Sequence, residues 1–315
     1  GIIFMHIRST HHTYQIGDLI FSKKDQKSKS RPALVPGEGC VCFARNEAGE
    51  MAAVKIVPLQ TADGLPCSLF ETEIRINQRI HRCNEGDVPY IIKFIEHTVE
   101  NQHGFIFMPP MKEDLFTYCK YSASRGTLSE DRMKSLFYKL CLALKTMHDA
   151  GIGHLDLKPD NILLDKKNNP HICDFGRSLM LDATKSEKAE SPVIIQEPAR
   201  RGTEEYYPPE IKKESNTYTY DPFAVDIFSL GVVFFVGVTN SFPYSSTREH
   251  RLKNKHYLML SSKFVNLIEH MTAENPTERL SIDEVLQHRY FKKCREPHWT
   301  QAFAAKLAKI KGGLL

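Results

Sequence analysis

The feature of the sequence that most constrains its fold is a change of pattern near residues 109–114. Before this point, short apolar runs bounded by turn residues are typical of β-strands, and the AGE turn at 48–50 predicts a hairpin. The predicted strands occupy 14–22, 39–47, 51–57 and 105–108. One segment of this part, LFETEIRINQRIH at 69–81, instead carries apolar residues at helical spacing.

Beyond this point helical patterns dominate. They occupy 129–151, 226–238, 261–273 and 281–291. The first begins with Ser129 as a helix cap and acidic residues in its first turn, and it ends at Gly151. The second is apolar nearly all round, which is typical of a buried helix. Strands followed by helices predict an α+β fold with two lobes.

The composition limits the classes of protein that fit. The chain has 315 residues, of which 41% are hydrophobic and 25% charged, enough apolar material for two lobes. A net charge of +4 is too small to indicate a nucleic-acid partner. The apolar runs are all shorter than the roughly 18 residues that a membrane span needs. Neither a nucleic-acid partner nor a membrane span is therefore predicted.

The eight cysteines lie mostly in apolar surroundings, such as LCLAL and HICDFG. We interpret them as free buried thiols, which favours a reducing compartment and a cytoplasmic protein. A secreted protein without its leader would carry the same pattern, so that alternative stays open. Cys40-x-Cys42 has no second ligand pair at zinc spacing, and a zinc site is not predicted.

Polar residues that could take part in catalysis or metal binding interrupt the apolar stretch GIGHLDLKPDNILLDKKNNPHICDFG at 151–176. The oxygens of Asn161 and Asp174 are ligands of the kind that Mg²⁺ prefers. Asp156 could accept a proton from a hydroxyl group, and Lys158 could neutralise charge that develops on a phosphate. This combination is typical of phosphoryl transfer, in which positioning and charge neutralisation supply most of the catalysis.

In these residues the chain resembles the eukaryotic-type protein kinases. HLDLKPDN at 154–161 is similar to the catalytic loop of that family, and DFG at 174–176 is similar to its metal-binding motif. The ordered set at these spacings is far more specific than one tripeptide. The resemblance covers 14–291. It implies an N-lobe at 14–108, a hinge at 109–113 and a C-lobe at 114–291, flanked by an N-terminal extension at 1–13 and a helical tail at 292–315.

The resemblance implies a serine/threonine kinase that uses ATP and Mg²⁺, bound between the lobes. In this family Asp156 would orient and deprotonate the acceptor hydroxyl, and Lys158 would stabilise the transferring phosphoryl group. Lys55, in a segment similar to the VAIK strand, would position the phosphates and pair with Glu73. Glu71, which lies on another face of the same predicted helix, is the alternative partner.

Further contacts to the cofactor follow from the same resemblance. Asn161 and Asp174 would hold Mg²⁺. Met108 would be the gatekeeper, and the Pro109 carbonyl and Met111 N–H would meet adenine. The remaining positions that would line the nucleotide are Ile20, Gly37, Gly39, Val41, Ala53, Lys55, Asp114 and Leu163. Asp114 fits a ribose contact and a helix N-terminal acid equally well.

The substrate class also follows from the resemblance. Pro159, which follows Lys158, and Thr203 are typical of serine/threonine kinases and imply protein substrates. The resemblance further implies a buried ion pair between Glu210 and Arg279, which disfavours a kinase for lipids or small molecules. Asp226 would brace the catalytic loop through its backbone N–H groups. The oligomeric state is left open.

The first departure from the family concerns the glycine-rich loop. Only eighteen residues separate Gly37 from Lys55, too few for the usual loop, strand, turn and strand. Counting back from Lys55 makes Gly39 the last glycine and puts Phe21 where the first is expected. Residues 22–38 then form an expanded basic loop. We interpret it as solvated, with a contact to phosphate or to an acidic partner as the alternative.

The second departure is Leu155, which occupies the position of an arginine that pairs with activation-segment phosphate in most regulated kinases. We therefore expect activity without phosphorylation of the segment at 174–210. That segment carries Ser178, Thr184, Ser186 and Ser191. Arg200 and Arg201 could bind an anion there, but we favour a solvated pair of charges. A pseudokinase scaffold with weak or no ATP binding is the alternative function, since the glycine loop is altered.

Overall fold

The protein is described by a computed structural model at residues 5–22, 39–61, 63–82, 88–126, 128–181, 193–212, 215–243 and 259–295. The chain forms two compact units. The first, a β-sheet unit, comprises 1–78 and 92–111, and the second, a mainly helical unit, comprises 79–91 and 112–315. The predicted α+β class is confirmed.

The first unit is built on one antiparallel sheet of six strands with the order β1-β2-β3-β4-β6-β5. Its elements are β1 Met5–Arg8, β2 Thr13–Ser22, β3 Cys40–Asn46, β4 Met51–Pro58, α1 Leu69–Arg82, β5 Glu96–Glu100 and β6 His103–Met108. In β3 the side chains of Cys42 and Ala44 are buried while those of Phe43 and Arg45 are exposed. This alternation gives the sheet one face that packs into a core.

Strand β1 is an element that the sequence patterns did not reveal. It pairs with β2 from Met5↔Ile16 to Arg8↔Thr13. The turn that follows it is held by the buried carboxylate of Glu96, which accepts hydrogen bonds from Ser9 Oγ at 2.5 Å and Tyr14 Oη at 2.7 Å. A four-residue run is too short for its periodicity to be read, and the carboxylate that holds it comes from far along the chain.

In the second unit, the described residues form the following elements in chain order. These are β7 Glu113–Asp114, α2 Leu115–Ser124, α3 Glu130–Asp149, β8 Ile152–Gly153, β9 Ile162–Leu164, β10 Pro170–Ile172, β11 Leu179–Met180, β12 Ile195–Glu197, α4 Pro209–Lys212, β13 Tyr218–Tyr220, α5 Pro222–Thr239, α6 Ser262–Met271 and α7 Ile282–Gln287. Within the same described stretches, 3₁₀ turns accompany them at Pro159–Asn161, Glu204–Tyr206, Pro276–Glu278 and Arg289–Cys294. The strands form small sheets, β10-β9-β7, β11-β8 and β12-β13.

The buried helix α5 runs through the core of this unit. It begins at Pro222, four residues before the predicted start, because the Asp221 carboxylate caps the N–H groups of Phe223 and Ala224. Proline suits the first turn of a helix since its missing N–H needs no partner there. The helix has a mean hydropathy of 1.9 and the length of a membrane span, but 78% of it is buried within the fold. Most of the apolar surface of α5 therefore packs against the rest of the fold.

The helix ends follow the capping signals in one case and depart from them in another. At the start of α3, Ser129 Oγ accepts a hydrogen bond from Arg132 N, and the helix ends before Gly151, whose φ is 73°. The helix predicted through 291 instead ends at Gln287. His288 has ψ near 143°, which breaks the helix, and its ring caps the 3₁₀ turn that follows.

Candidate active site

The loop that carries the proposed catalytic residues is held in place by Asp226, which is fully buried on α5. Its two carboxylate oxygens accept hydrogen bonds from the backbone N–H groups of His154 and Leu155, each at 2.8 Å. The ring of His148 lies 3.0 Å from the same carboxylate. The brace that the resemblance implied is therefore present, and it sets the position of the residue that follows, Asp156.

Asp156 is 7% exposed and its carboxylate is surrounded by donors and cations. Thr203 Oγ1 donates to Oδ1 at 2.7 Å, and Asn161 Nδ2 approaches Oδ2 at 3.2 Å. Lys158 Nζ and Arg177 Nε lie 3.7 and 4.0 Å from Oδ2. These contacts hold the carboxylate in one orientation, as a proton acceptor for a bound hydroxyl group requires.

Lys158 and Thr203 form a second link to the same carboxylate. Lys158 Nζ donates to Thr203 Oγ1 at 2.8 Å, and that hydroxyl in turn donates to Asp156. The three side chains thus form a chain of hydrogen bonds that runs from a cation to a carboxylate. A cation at this place can stabilise negative charge that develops close to Asp156.

The two predicted Mg²⁺ ligands are joined through the backbone. Cys173 N donates to the Asn161 carbonyl at 3.0 Å, so Asp174 follows directly after a residue bonded to Asn161. Asp174 has φ of 65°, a left-handed conformation that turns the chain sharply at this point. Among the described residues no cluster of three or more His, Cys, Asp or Glu could hold a metal. One amide oxygen and one carboxylate nevertheless fit Mg²⁺, which keeps waters and phosphate oxygens in its shell.

In the β-sheet unit, Lys55 and Glu73 form the predicted ion pair, with Nζ 2.6 Å from Oε2. Lys55 lies on β4 and Glu73 on α1, where its side chain is 1% exposed. Glu71, the alternative partner, is exposed instead. The helix position therefore decides between the two glutamates, because the two residues lie on different faces of α1.

The register of the sheet brings several predicted nucleotide contacts together. Val41 pairs with Lys55, and Ala53 pairs with Met108, the buried last residue of β6. A Cβ on Gly39 would lie 3.1 Å from the Ile56 carbonyl, so this backbone runs close to β4. Close approach of this kind favours glycine.

Of the other predicted nucleotide contacts, some lie among the described residues and some do not. Pro109 and Met111 follow β6 without regular structure, and Leu163 is half-buried on β9. Ile20 lies on β2, but its side chain is outside the described residues, as is all of Gly37.

The two interpretations of Asp114 can be compared directly. Its carboxylate caps α2, accepting from Thr117 N at 2.7 Å and from Thr117 Oγ1 at 2.9 Å. Both oxygens are thus engaged by the first turn of the helix. The helix-start interpretation is the one that the geometry favours, and a ribose contact would have to share these oxygens.

The strand pairing bears on the altered glycine loop. Phe21 pairs with Val41 and Ser22 with Cys40, so β2 and β3 run together up to these residues. This register agrees with counting back from Lys55. The basic insertion itself, apart from Ser22, lies outside the described residues, so its proposed contact to phosphate or to an acidic partner stays a prediction.

Leu155 takes part in an apolar cluster instead of facing solvent. It is 3% exposed and its φ is 62°. The buried residues that pack with it are Tyr207, Ile211, Tyr218, Tyr220 and Val225, with Leu179 and Ile195 at the edge. Because this cluster includes residues from both ends of the activation segment, apolar packing occupies the place where a phosphate-binding arginine would lie.

The interpretation of Arg200 and Arg201 as a solvated pair was wrong. Arg201 Nε donates to both carboxylate oxygens of Glu197 at 2.8 Å, and Arg200 Nε donates to Tyr218 Oη at 2.9 Å. Burial raises the pKa of the Glu197 carboxyl, but hydrogen bonds from Arg201 and Tyr220 outweigh it, and the pKa is lowered. The sequence could not reveal these contacts, because the short strands β12 and β13 that create them carry no periodic signal.

Two further contacts concern residues named from the sequence. Arg279 binds Glu210 through two hydrogen bonds, at 2.6 and 2.7 Å, and it is 7% exposed, so the predicted ion pair is present. Ser178 is 2% exposed and donates to the His154 carbonyl, which gives its hydroxyl a structural use. Thr184, Ser186 and Ser191 lie outside the described residues.

The thiols fit the interpretation of free cysteines. The seven that the structure describes are unbridged, and four of them are buried. The sulfur atoms of Cys40 and Cys42 lie 4.0 Å apart, at hydrogen-bond distance, and both thiols are free. Burial raises the pKa of the Cys119 thiol to about 12, which keeps it protonated and unreactive.

Comparison with known proteins agrees with this geometry. The family model for the protein kinase domain matches residues 37–291, which includes every catalytic residue proposed above. Human testis-specific serine/threonine-protein kinase 1 is 31% identical over 273 residues, covering 80% of this chain and 68% of that protein. The bovine phosphorylase b kinase gamma catalytic chain, liver/testis isoform, is 27% identical and covers 86% and 68%.

A plant relative, CBL-interacting serine/threonine-protein kinase 13 of Arabidopsis thaliana, is 29% identical over 80% of this chain, but the chain spans only 48% of its length. ATP-dependent protein kinases are the enzyme class to which these relatives belong. The catalytic loop, the paired lysine and glutamate, and the family match therefore lead to one conclusion. The chain belongs to the serine/threonine protein kinase family.

Proposed function

We propose that this chain transfers the γ-phosphoryl group of ATP to serine and threonine hydroxyls of proteins, and that it does so without phosphorylation of its activation segment. The observation that carries the proposal is the Asp156 carboxylate, which is held by Thr203 at 2.7 Å with Lys158 3.7 Å away. This arrangement places a proton acceptor beside a cation, as phosphoryl transfer to a hydroxyl group requires.

Each residue has a separate task in this reaction. Asp156 orients the acceptor hydroxyl and takes its proton as the new P–O bond forms and the bond from the γ-phosphorus to the bridging oxygen breaks, with ADP as the leaving group. Lys158 stabilises negative charge on the transferring group. Lys55, held by Glu73 at 2.6 Å, binds the phosphates. Asn161 and Asp174 would hold Mg²⁺, which would neutralise phosphate charge when bound.

Independence from phosphorylation rests on Leu155. A leucine offers no hydrogen-bond donor, so it cannot bind a phosphate on the segment. Its side chain is instead buried among Tyr218, Tyr220 and their neighbours. The segment is therefore held at this point by apolar contacts that are present in the unmodified chain.

The test is transfer of labelled phosphate from ATP, with Mg²⁺, to a generic basic protein. We expect the parent chain to transfer label and Asp174→Asn to lose the activity, because the amide cannot neutralise the metal. Asp131→Asn is the matched control, since Asp131 is 96% exposed on α3. Equal activity in parent and Asp174→Asn would overturn the proposed assignment of roles.

A pseudokinase scaffold is the second candidate, and the altered glycine loop favours it. Phe21, at the position expected for the first glycine, pairs with Val41 as an ordinary strand residue. Thermal unfolding with and without ATP and Mg²⁺ separates the two, because a ligand that binds the native state raises the unfolding temperature. No transfer together with no rise would favour the scaffold.

The cellular location stays a proposal as well. Free thiols at all seven described cysteines fit a reducing compartment, and we propose the cytoplasm. Fractionation of cells with an antibody against the chain tests this. Recovery from the medium or from an oxidising organelle would contradict it.

A further inference from the structure

The side chain of Arg201 contacts two separate stretches of the activation segment. Its Nη1 donates to the carbonyls of Arg177 and Ser178, at 3.2 and 3.4 Å, just after the Asp174 motif. Its Nε and Nη2 bind the carboxylate of Glu197, four residues earlier in the chain. One guanidinium thus joins the beginning of the segment to its later part.

Glu197 is itself held from a second direction. Tyr220 Oη donates to its Oε2 at 2.6 Å. Glu197 ends β12, and Tyr220 ends β13, with which β12 pairs from Ile195↔Tyr220 to Glu197↔Tyr218. Arg201 therefore donates to both carboxylate oxygens and Tyr220 adds a neutral donor to Oε2, and the backbone that carries Glu197 is fixed by strand pairing.

The residue after Arg201 transmits this position to the catalytic loop. Gly202 has φ of 96°, and a Cβ on it would lie 2.3 Å from the Leu155 carbonyl. The chain thus passes directly against the backbone of the catalytic loop, at a place that only glycine fits. The next residue, Thr203, donates to the Asp156 carboxylate at 2.7 Å.

A single residue, Gly202, therefore separates Arg201 from Thr203, whose side chain orients the proposed catalytic carboxylate. A guanidinium with both ends of its fork engaged has little freedom, because each hydrogen bond restricts its plane. A shift of the chain at Arg201 would move Thr203 away from Asp156 and release the carboxylate from its orientation.

We propose that Glu197 and Arg201 are positioning residues for phosphoryl transfer, and that their ion pair holds Thr203 against Asp156. The anion that fixes the activation segment is then a carboxylate encoded in the chain. This inference rests on the proposed function, since it assigns a role to the pair only if Asp156 is the proton acceptor of a phosphoryl transfer.

The test compares steady-state kinetics of the parent with Glu197→Gln and Arg201→Gln. Glu197→Gln keeps the length of the side chain and removes its charge, and Arg201→Gln removes the charge together with the guanidinium group. We expect each to lower kcat by about tenfold or more, because small misplacements of catalytic groups cost that much. The KM for ATP should change less than about twofold, because these residues lie outside the proposed nucleotide contacts and the loss belongs to the positioning of Asp156.

Two further comparisons separate positioning from folding. Tyr220→Phe removes one donor to Glu197 and keeps the ring in the apolar cluster, so kcat should fall at an unchanged unfolding temperature. The kcat of the double variant Glu197→Gln/Arg201→Gln should be no lower than that of the less active single variant, because the two residues act as one unit. Lys145→Gln is the matched control, since Lys145 pairs with Asp149 at the same i,i+4 spacing, at 3.1 Å, on α3.

The possible results distinguish a failure of the positioning role from a failure of the proposed function. If the parent transfers phosphate and both glutamine variants keep kcat within about twofold, the positioning role is wrong and the proposed function stands. The positioning role is equally wrong if kcat falls only as far as it does in Lys145→Gln. A parent that transfers no phosphate overturns both the proposed function and this inference.

Discussion

Replacement of Leu155 by alanine measures how strongly apolar packing holds the activation segment. The leucine is 3% exposed and packs with Tyr207 near the end of the segment and with the tyrosines of β13. Removing three carbon atoms at about 0.8 kcal/mol each costs about 2.4 kcal/mol in transfer free energy. The aromatic rings around the site cannot collapse fully into the space, so a cavity term brings the expected loss to about 3–4 kcal/mol.

The left-handed backbone at this position does not alter that figure. Alanine and leucine have the same difficulty at φ of 62°, so the substitution neither relieves nor adds backbone strain. The measurement is urea-induced unfolding, with a thermal scan beside it. For a unit of this size the loss corresponds to a fall of about 10 °C in Tm.

The matched control is Ile194→Ala, which removes an isoleucine that is 57% exposed in the same segment. We expect it to change the free energy of unfolding by less than about 0.5 kcal/mol. A loss below about 1 kcal/mol for Leu155→Ala would refute the reasoning. It would show that the cluster relaxes around the smaller side chain and does not hold the segment.

Three other predictions follow from single contacts. Gly202→Ala should abolish most activity and destabilise the protein much more than Gly126→Ala does. Gly126 has φ of 63° but nothing within 4 Å of an added Cβ, so its replacement should cost only about 1–2 kcal/mol in unfolding assays. Equal losses of stability in the two variants would contradict this. Glu73→Gln should lower kcat/KM by about a hundredfold in transfer assays, while Glu71→Gln should leave it unchanged. Burial raises the pKa of Glu96, but its donors outweigh burial and the pKa is lowered, so the stability it adds is present above pH 4.5 and lost as the pH falls below that value. The difference in urea stability between parent and Glu96→Gln should shrink on acidification, and a difference independent of pH would contradict the assignment.

Much of the candidate site could be predicted because its signals are local. HLDLKPDN and DFG place their polar side chains on short loops between strands, so only a few residues separate one functional side chain from the next. The Lys55–Glu73 pair also followed from local pattern, since the helical period of α1 separates Glu73 from Glu71. Helix starts at capping residues such as Ser129 were predictable for the same reason.

The contacts that sequence could not reveal depend on chain pairing over long distances. Glu197 meets Tyr220 only because β12 pairs with β13, and each of these strands has three residues. A run of that length has no measurable periodicity. Glu96 likewise binds Ser9 across 87 positions. Such polar groups look like ordinary surface residues until the fold brings their partners to them.

The measurement that tests the central claim most directly is the initial rate of phosphoserine and phosphothreonine formation on a generic basic protein. It compares the chain before and after complete phosphatase treatment, with Asp156→Asn beside it. We predict equal rates for the treated and untreated parent, and a fall of about a hundredfold or more in the variant. A rate that is lost with the phosphate, or one that survives in Asp156→Asn, would contradict the account.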